Sequence, residues 1–300
     1  MLQVLTYNIL PVFSMLALGF VLGRTGKVTR GEATTLNRIA FLVLQPALIF
    51  PLIKGLQWSA FRVDAIAIYA ACQIVLFAVT YLLARRVLRR EPIEAWLLGM
   101  ATVFVNTLLY IWPISFLIYG ETASMPITGI VAWDSAISFV FFIVTTDLMA
   151  NRQASPVQSL RRIGTNPVLI AIALGALSNV LYIPMLEPIL TAMHFAGAAA
   201  APLTLFALGV ILSGHSLTPS PTIVVVSAMK LAIFPALVWA ALHLGQRPPT
   251  WNTLLVLAAA GPSGAMAFSL AILHGVRTDQ IAPVIIWTSA LSVLSLAWLA

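Results

Sequence analysis

The stretch Pro11-Val-Phe-Ser-Met-Leu-Ala-Leu-Gly19 returns later in the chain as Pro167-Val-Leu-Ile-Ala-Ile-Ala-Leu-Gly175. The shift is 156 residues (167 minus 11), and the same shift carries Pro46 to Pro202 and Phe50 to Phe206. A register held over about 40 residues without an insertion points to internal duplication. The surrounding sequence says what kind of unit was duplicated. Of the 300 residues 61% are hydrophobic and 8% are charged, with a mean hydropathy of +1.01. Soluble domains carry about a quarter charged residues, so this chain lacks the polar side chains to cover a water-exposed surface.

Apolar runs between polar punctuation predict membrane spans near 4–23, 34–53, 64–84, 94–119, 126–149, 166–183, 197–214, 222–244, 251–274 and 280–299. Helices are expected throughout, because lipid cannot hydrogen-bond a bare backbone and the runs lack the alternation of barrel strands. Ten spans leave no length for a separate soluble domain. The fold class predicted is therefore an all-α polytopic membrane protein. Its two five-helix repeats would cover 1–150 and 166–300, joined by a cytoplasmic hinge loop at 151–165. Five is odd, so the second copy enters from the opposite side and the repeat is inverted.

Charge sets the orientation. No Lys or Arg precedes the first run and Arg24, Lys27 and Arg30 follow it, so a span is expected there and not a signal peptide. Of the 16 Lys and Arg, twelve fall on the odd-numbered connections and three, Lys54, Arg62 and Arg247, on the even ones; Lys230 lies within a span. Positive residues collect on the cytoplasmic side, which predicts both termini outside a bacterial inner membrane. The net charge of +7 reflects scarce acids, with no basic stripe interleaved with aromatics, so no nucleic-acid partner is expected. The single Cys72 excludes a disulfide framework, and the four histidines are scattered near span ends, so neither metal nor other cofactor is predicted.

Inverted-repeat carriers hold substrate near the midplane, where helices are broken at corresponding positions of the two halves. The fourth span contains Asn106-Thr-Leu-Leu-Tyr-Ile-Trp-Pro113 and the ninth contains Gly261-Pro-Ser-Gly264. Mid-helix proline removes a backbone hydrogen bond, and the freed groups need a protein-lined cavity. The candidate substrate-binding residues are Asn106, Thr107, Pro113, Pro262, Ser263 and Gly264. A plain proline kink packed against its neighbours is the alternative at each proline.

At these positions the chain resembles the auxin efflux carrier family, which includes the plant PIN carriers and shorter bacterial relatives. Asn37-Arg38 followed by Pro46, Asn106-Thr-Leu with Pro113 and Tyr119-Gly120, Phe206-Ala-Leu-Gly209, Lys230 five residues before Pro235, and Pro262 carry the resemblance along nearly the whole chain. The resemblance implies a secondary active transporter of small organic anions. Its fourth and ninth helices would cross at their broken segments, and an elevator-like transport domain would move against a scaffold that forms a homodimer. It also implies that Asn106 meets a substrate carboxylate, with Pro113 and Pro262 marking the breaks. Small carboxylates such as malonate or malate are the substrates that bacterial relatives suggest. Val105 stands where the family has a proline and Gly129 where the plant carriers have a glutamine, which argues against auxin.

Asp134 and Lys230 fall inside spans, where an ionised side chain costs at least about 2.5 to 3.5 kcal/mol. Asp134 is a candidate proton or cation site, or one half of a structural pair. Lys230 is a candidate anion attractor, a partner for an acid, or a lysine snorkelling toward the inner face. H⁺ is the expected coupling ion ahead of Na⁺. A sodium-coupled symporter of the bile-acid carrier type is the alternative within transport, and it would need clustered sodium ligands. An enzyme is not expected: there is no HExxH, and Ser227 three residues before Lys230 shares a helix face with it but nothing else supports a protease.

Overall fold

The computed structural model describes residues 2–120, 124–150, 156–245 and 247–299. They form thirteen helices, and among the described residues there is no strand. Seven helices are long and apolar enough to cross a membrane: α1 (Leu2–Arg24), α2 (Arg30–Lys54), α3 (Val63–Arg86), α6 (Met125–Ala150), α9 (Glu187–Leu212), α10 (Pro221–His243) and α13 (Ile281–Leu299). The others are α4 (Pro92–Val103), α5 (Thr107–Tyr119), α7 (Pro156–Gly164), α8 (Pro167–Val180), α11 (Pro249–Ala259) and α12 (Met266–Leu273). The chain is thus a polytopic all-α membrane protein. Of the expected hinge loop, residues 151–155 lie outside the described residues, and most of the remainder is the short helix α7.

Local chemistry starts several of these helices. Thr29 and Glu32 form a capping box at α2: the Thr29 hydroxyl accepts from Glu32 N, and Glu32 accepts from Thr29 N at 2.8 Å. The Asn166 side chain caps α8 and the Ser220 hydroxyl caps α10. By contact the helices sort into two groups. α1 packs along the second half of α9, and α2 packs on α8 and α9; α3, α4, α6 and α10 to α13 pack among themselves. In the first group small residues bring backbones together. A Cβ added to Gly19 would sit 2.0 Å from the Phe206 carbonyl oxygen, and one added to Gly175 would sit 3.0 Å from that of Phe50. Both pairs exchange under the 156-residue shift seen in the sequence.

Proline behaves differently from the sequence-based expectation. Four π-turns, Leu5–Ile9, Ala40–Leu44, Thr107–Ile111 and Met229–Ile233, each end two residues before a proline, at Pro11, Pro46, Pro113 and Pro235. The widened turn takes the clash between the proline ring and the carbonyl four residues back, so the helix runs on. Pro113 therefore does not mark a break. The fourth span is interrupted at 104–106, before α5 begins, and α5 continues through Pro113. Pro262, by contrast, lies within the second interruption, at 260–265. A fifth π-turn, Asp134–Ser138, precedes no proline.

Candidate functional site

The two interruptions meet. Val105 and Ser263 form an isolated antiparallel bridge, Asn106 N donates to Pro262 O at 3.0 Å, and Gly264 N donates to Phe104 O at 2.8 Å. These bonds satisfy backbone groups that a broken helix leaves open in an apolar medium. The reciprocal of the Asn106–Pro262 bond cannot form, because proline has no N–H. The carbonyl at the C-terminal end of each preceding helix is also held by a side chain. Gln73 Nε2 donates to Val103 O at 3.1 Å, and Lys230 Nζ donates to Ala259 O at 3.0 Å. Val103 and Ala259 are again 156 residues apart.

The meeting point forms the closed end of a cavity of about 670 Å³. Asn106, Thr107, Asp134 and Gly264 line it, and Arg30, Arg38 and Arg162 line its other end. Two helices begin beside the closed end, α5 at Thr107 and α12 at Met266, and Met266 is part of the lining. Both present their N-terminal, partially positive ends there. The Asn106 side chain makes no hydrogen bond within the described residues, so its amide offers two donors and an acceptor to whatever occupies the cavity.

Asp134, 2% exposed, sits at the wall of this end. Its Oδ1 accepts from Gln73 Nε2 at 2.8 Å and its Oδ2 from the Thr107 hydroxyl at 3.3 Å. Gln73 Oε1 in turn accepts from Trp133 Nε1 at 2.6 Å. A buried acid thus has hydrogen bonds supplied by two other helices, as burial demands. Lys230 is completely buried, so it does not snorkel. Its ammonium lies 4.7 Å from the centre of the Phe234 ring, and among the described residues no ion pair joins it to Asp134. Each intramembrane charge instead finds its own partners.

The remaining sequence candidates lie apart from the lining. Ser263 is 1% exposed, its amide donates to Thr288 Oγ1 at 3.2 Å, and its hydroxyl has no partner. Pro262 contributes its carbonyl to the bridge, behind the cavity wall. Pro113 faces a second, smaller cavity of about 230 Å³ with Pro11, Trp112 and Pro202. Sequence reading missed Gln73, although a glutamine within an apolar run was a usable signal. It also missed a cluster joined to the lining through Arg162, where buried Asp147 accepts from Ser159 and Arg162, both at 2.6 Å, and lies 2.9 Å from His274 Nε2.

A bundle of apolar helices with two interrupted segments meeting at a cavity that Asn106, Thr107 and Asp134 help to line fits a membrane transport protein. The family model described as membrane transport protein matches residues 4–299, and the chain belongs to that family, the one whose auxin carriers it resembles. A Rhizobium meliloti (strain 1021) protein named "Putative malonate transporter" is 28% identical over 306 residues, covering 98% of this chain and 94% of that protein. A Methanothermobacter thermautotrophicus protein named "Uncharacterized transporter" is 26% identical over 295 residues, covering 97% and 96%.

Proposed function

We propose that this protein is a secondary active transporter of small organic anions, with dicarboxylates of malonate size as the substrate class. The observation that carries the reading is the closed end of the 670 Å³ cavity, where two helix N-termini and the uncommitted Asn106 amide converge. Partial positive charge and free donors suit a carboxylate. The arginines at the opposite end, Arg30, Arg38 and Arg162, draw anions toward it. The name of the Rhizobium meliloti relative favours malonate as the first compound to test.

In this reading the chain is an inverted repeat of five plus five spans, with the cavity facing the cytoplasm and both termini outside the inner membrane. Helices α1, α2, α8 and α9 are the scaffold and the site of homodimer contact, and the second group moves against them as an elevator. The reciprocal Gly19–Phe206 and Gly175–Phe50 contacts support the repeat. H⁺ is the coupling ion, carried by Asp134. The test is uptake of labelled malonate into proteoliposomes under an imposed pH gradient, a sodium gradient or neither. Saturable uptake that exchanges with unlabelled substrate and follows the pH gradient supports the proposal; dependence on sodium alone transfers coupling to Na⁺. Orientation is tested separately, by labelling a cysteine at position 89 in a variant lacking Cys72. Labelling from outside intact cells would overturn the assigned sidedness.

A further inference from the structure

One hydroxyl in the cavity lining bonds a titratable group in the same lining. Thr107 Oγ1 is 3.3 Å from Asp134 Oδ2 and 3.5 Å from the carbonyl oxygen of Val105, and Thr107 lines the cavity beside Asn106. The other carboxylate oxygen is committed. An indole N–H only donates, so the Gln73 atom 2.6 Å from Trp133 Nε1 is the amide oxygen. The Gln73 nitrogen then spends its two hydrogens on Val103 O and on Asp134 Oδ1. A proton arriving at Asp134 therefore settles on Oδ2, the oxygen that faces Thr107.

The two protonation states place the threonine hydrogen differently. While Asp134 is ionised, Oδ2 only accepts, and the Thr107 hydroxyl donates to it. Once Oδ2 carries a proton it donates to Thr107 Oγ1, and the threonine hydrogen has to turn away. The Val105 carbonyl at 3.5 Å is at the limit of a hydrogen bond, so it competes weakly; the other direction is the cavity. The π-turn that begins at Asp134, the one without a proline behind it, marks this place as specialised.

We propose that the Thr107 hydroxyl couples proton to anion: a proton on Asp134 Oδ2 frees the Thr107 hydrogen for a carboxylate oxygen of the substrate, one proton for each anion. The inference rests on the carboxylate reading above. Atoms balance simply, since Asp134 gains one proton from water, the substrate keeps its own charge, and both leave when the sequence reverses. By reciprocity the bound anion holds the proton as firmly as the proton holds the anion. The charged and titratable groups that act on Asp134 are Tyr69 on α3 and Lys230 on α10, with Arg30, Arg38 and Arg162 along the same cavity. Helices α8, α11, α12 and α13 carry no ionisable side chain, and Glu94 on α4 is engaged by Arg90 and Arg277. Ser138 adds a hydroxyl bond to Asp134 from the same helix, and its hydroxyl can reverse with the proton.

The experiment measures malonate binding to the purified protein in nanodiscs by calorimetry across a pH series, in buffers of different ionisation enthalpy. The wild type should lose about tenfold in affinity per pH unit on the alkaline side and take up about one proton per anion. Asp134→Asn should bind tightly with only malonate's own titration remaining. Thr107→Val should bind weakly with no linked proton, and Thr107→Ser should behave as wild type. A Thr107→Val protein that keeps wild-type proton linkage overturns the inference, as does a Thr107→Ser protein that loses it. If malonate fails to bind the wild type at any pH, the substrate reading falls, and infrared titration decides the inference alone. The protonated-carboxyl band, identified by its loss in Asp134→Asn, should shift in Thr107→Val; an unmoved band overturns the proposal.

Discussion

The two interruptions use one backbone device with different chemistry around it. At each, a helix ends on a carbonyl held by a side chain from a neighbouring span, Val103 by Gln73 and Ala259 by Lys230. The first carbonyl belongs to a network of Gln73, Trp133, Thr107 and Asp134 that reaches the cavity. The second is held by the fully buried Lys230 amine, with Thr288 Oγ1 accepting from Ser263 N and neither Lys230 nor Thr288 on the lining. The geometry recurs at the 156-residue offset, and the proposed coupling makes the first break the adjustable one and the second the sealed one. In the adjustable copy the partners are neutral groups whose hydrogens can be redistributed. The other break rests on the Lys230 amine, whose described hydrogen bond goes to the Ala259 carbonyl.

That contrast can be broken from either side, and the largest effect is expected at Gln73. Gln73→Leu leaves the Trp133 N–H, the Val103 carbonyl and Asp134 Oδ1 without their partner, at about 1 to 3 kcal/mol each before relaxation. We expect a net loss of about 3 kcal/mol in denaturant unfolding; a loss below about 1 kcal/mol would show that the network does not hold the first break. Next comes Asn106→Ala, which removes a donor to the anion and should weaken malonate binding by about 10- to 150-fold, the worth of a hydrogen bond to a charged group. Its thermal unfolding should stay near wild type. Ser263→Ala, at the corresponding sealed break, should leave malonate affinity within about twofold, since its hydroxyl is unpartnered and off the lining.

Gly261→Ala sharpens the comparison at close range. An added Cβ would come within 2.5 Å of Ile111 Cδ1 and 2.9 Å of Val105 Cγ1, so the two breaks must separate or Ile111 must change rotamer. Overpacking of this kind costs about 1 to 3 kcal/mol and should lower the unfolding temperature, with malonate binding reduced in parallel. A small effect on stability is also expected for Lys230→Met. The Ala259 carbonyl loses its donor, yet the cost of burying an ammonium is lifted, so the net change should stay within about 1 kcal/mol. Transport by this variant should keep its pH dependence, because the proton is assigned to Asp134; a lost dependence would move coupling to the sealed break.

Much of this architecture is legible without coordinates, and particular residues show why. Hydropathy and the 156-residue echo are properties of order along the chain, so they report helices, spans and corresponding positions directly. Asn106 and Pro262 stand at that offset, and the structure brings them into one hydrogen bond. Asp134 and Lys230 announced themselves as charges in apolar runs, because burying either one is costly wherever it lies.

What the chain order does not carry is which group lies within hydrogen-bonding distance in space. Pro113 and Pro262 look alike in sequence, yet a π-turn absorbs the first and the chain opens at the second. The difference depends on whether neighbouring backbone is present to take the freed groups, as Phe104 and Asn106 are for Gly264 and Pro262. Likewise the partners of the two charges, Gln73 and Thr107 for Asp134 and the Ala259 carbonyl for Lys230, come from other helices. Sequence alone determined that these charges needed partners, because apolar surroundings offer none; only tertiary packing, which brings distant helices within about 3 Å, decided which groups they would be.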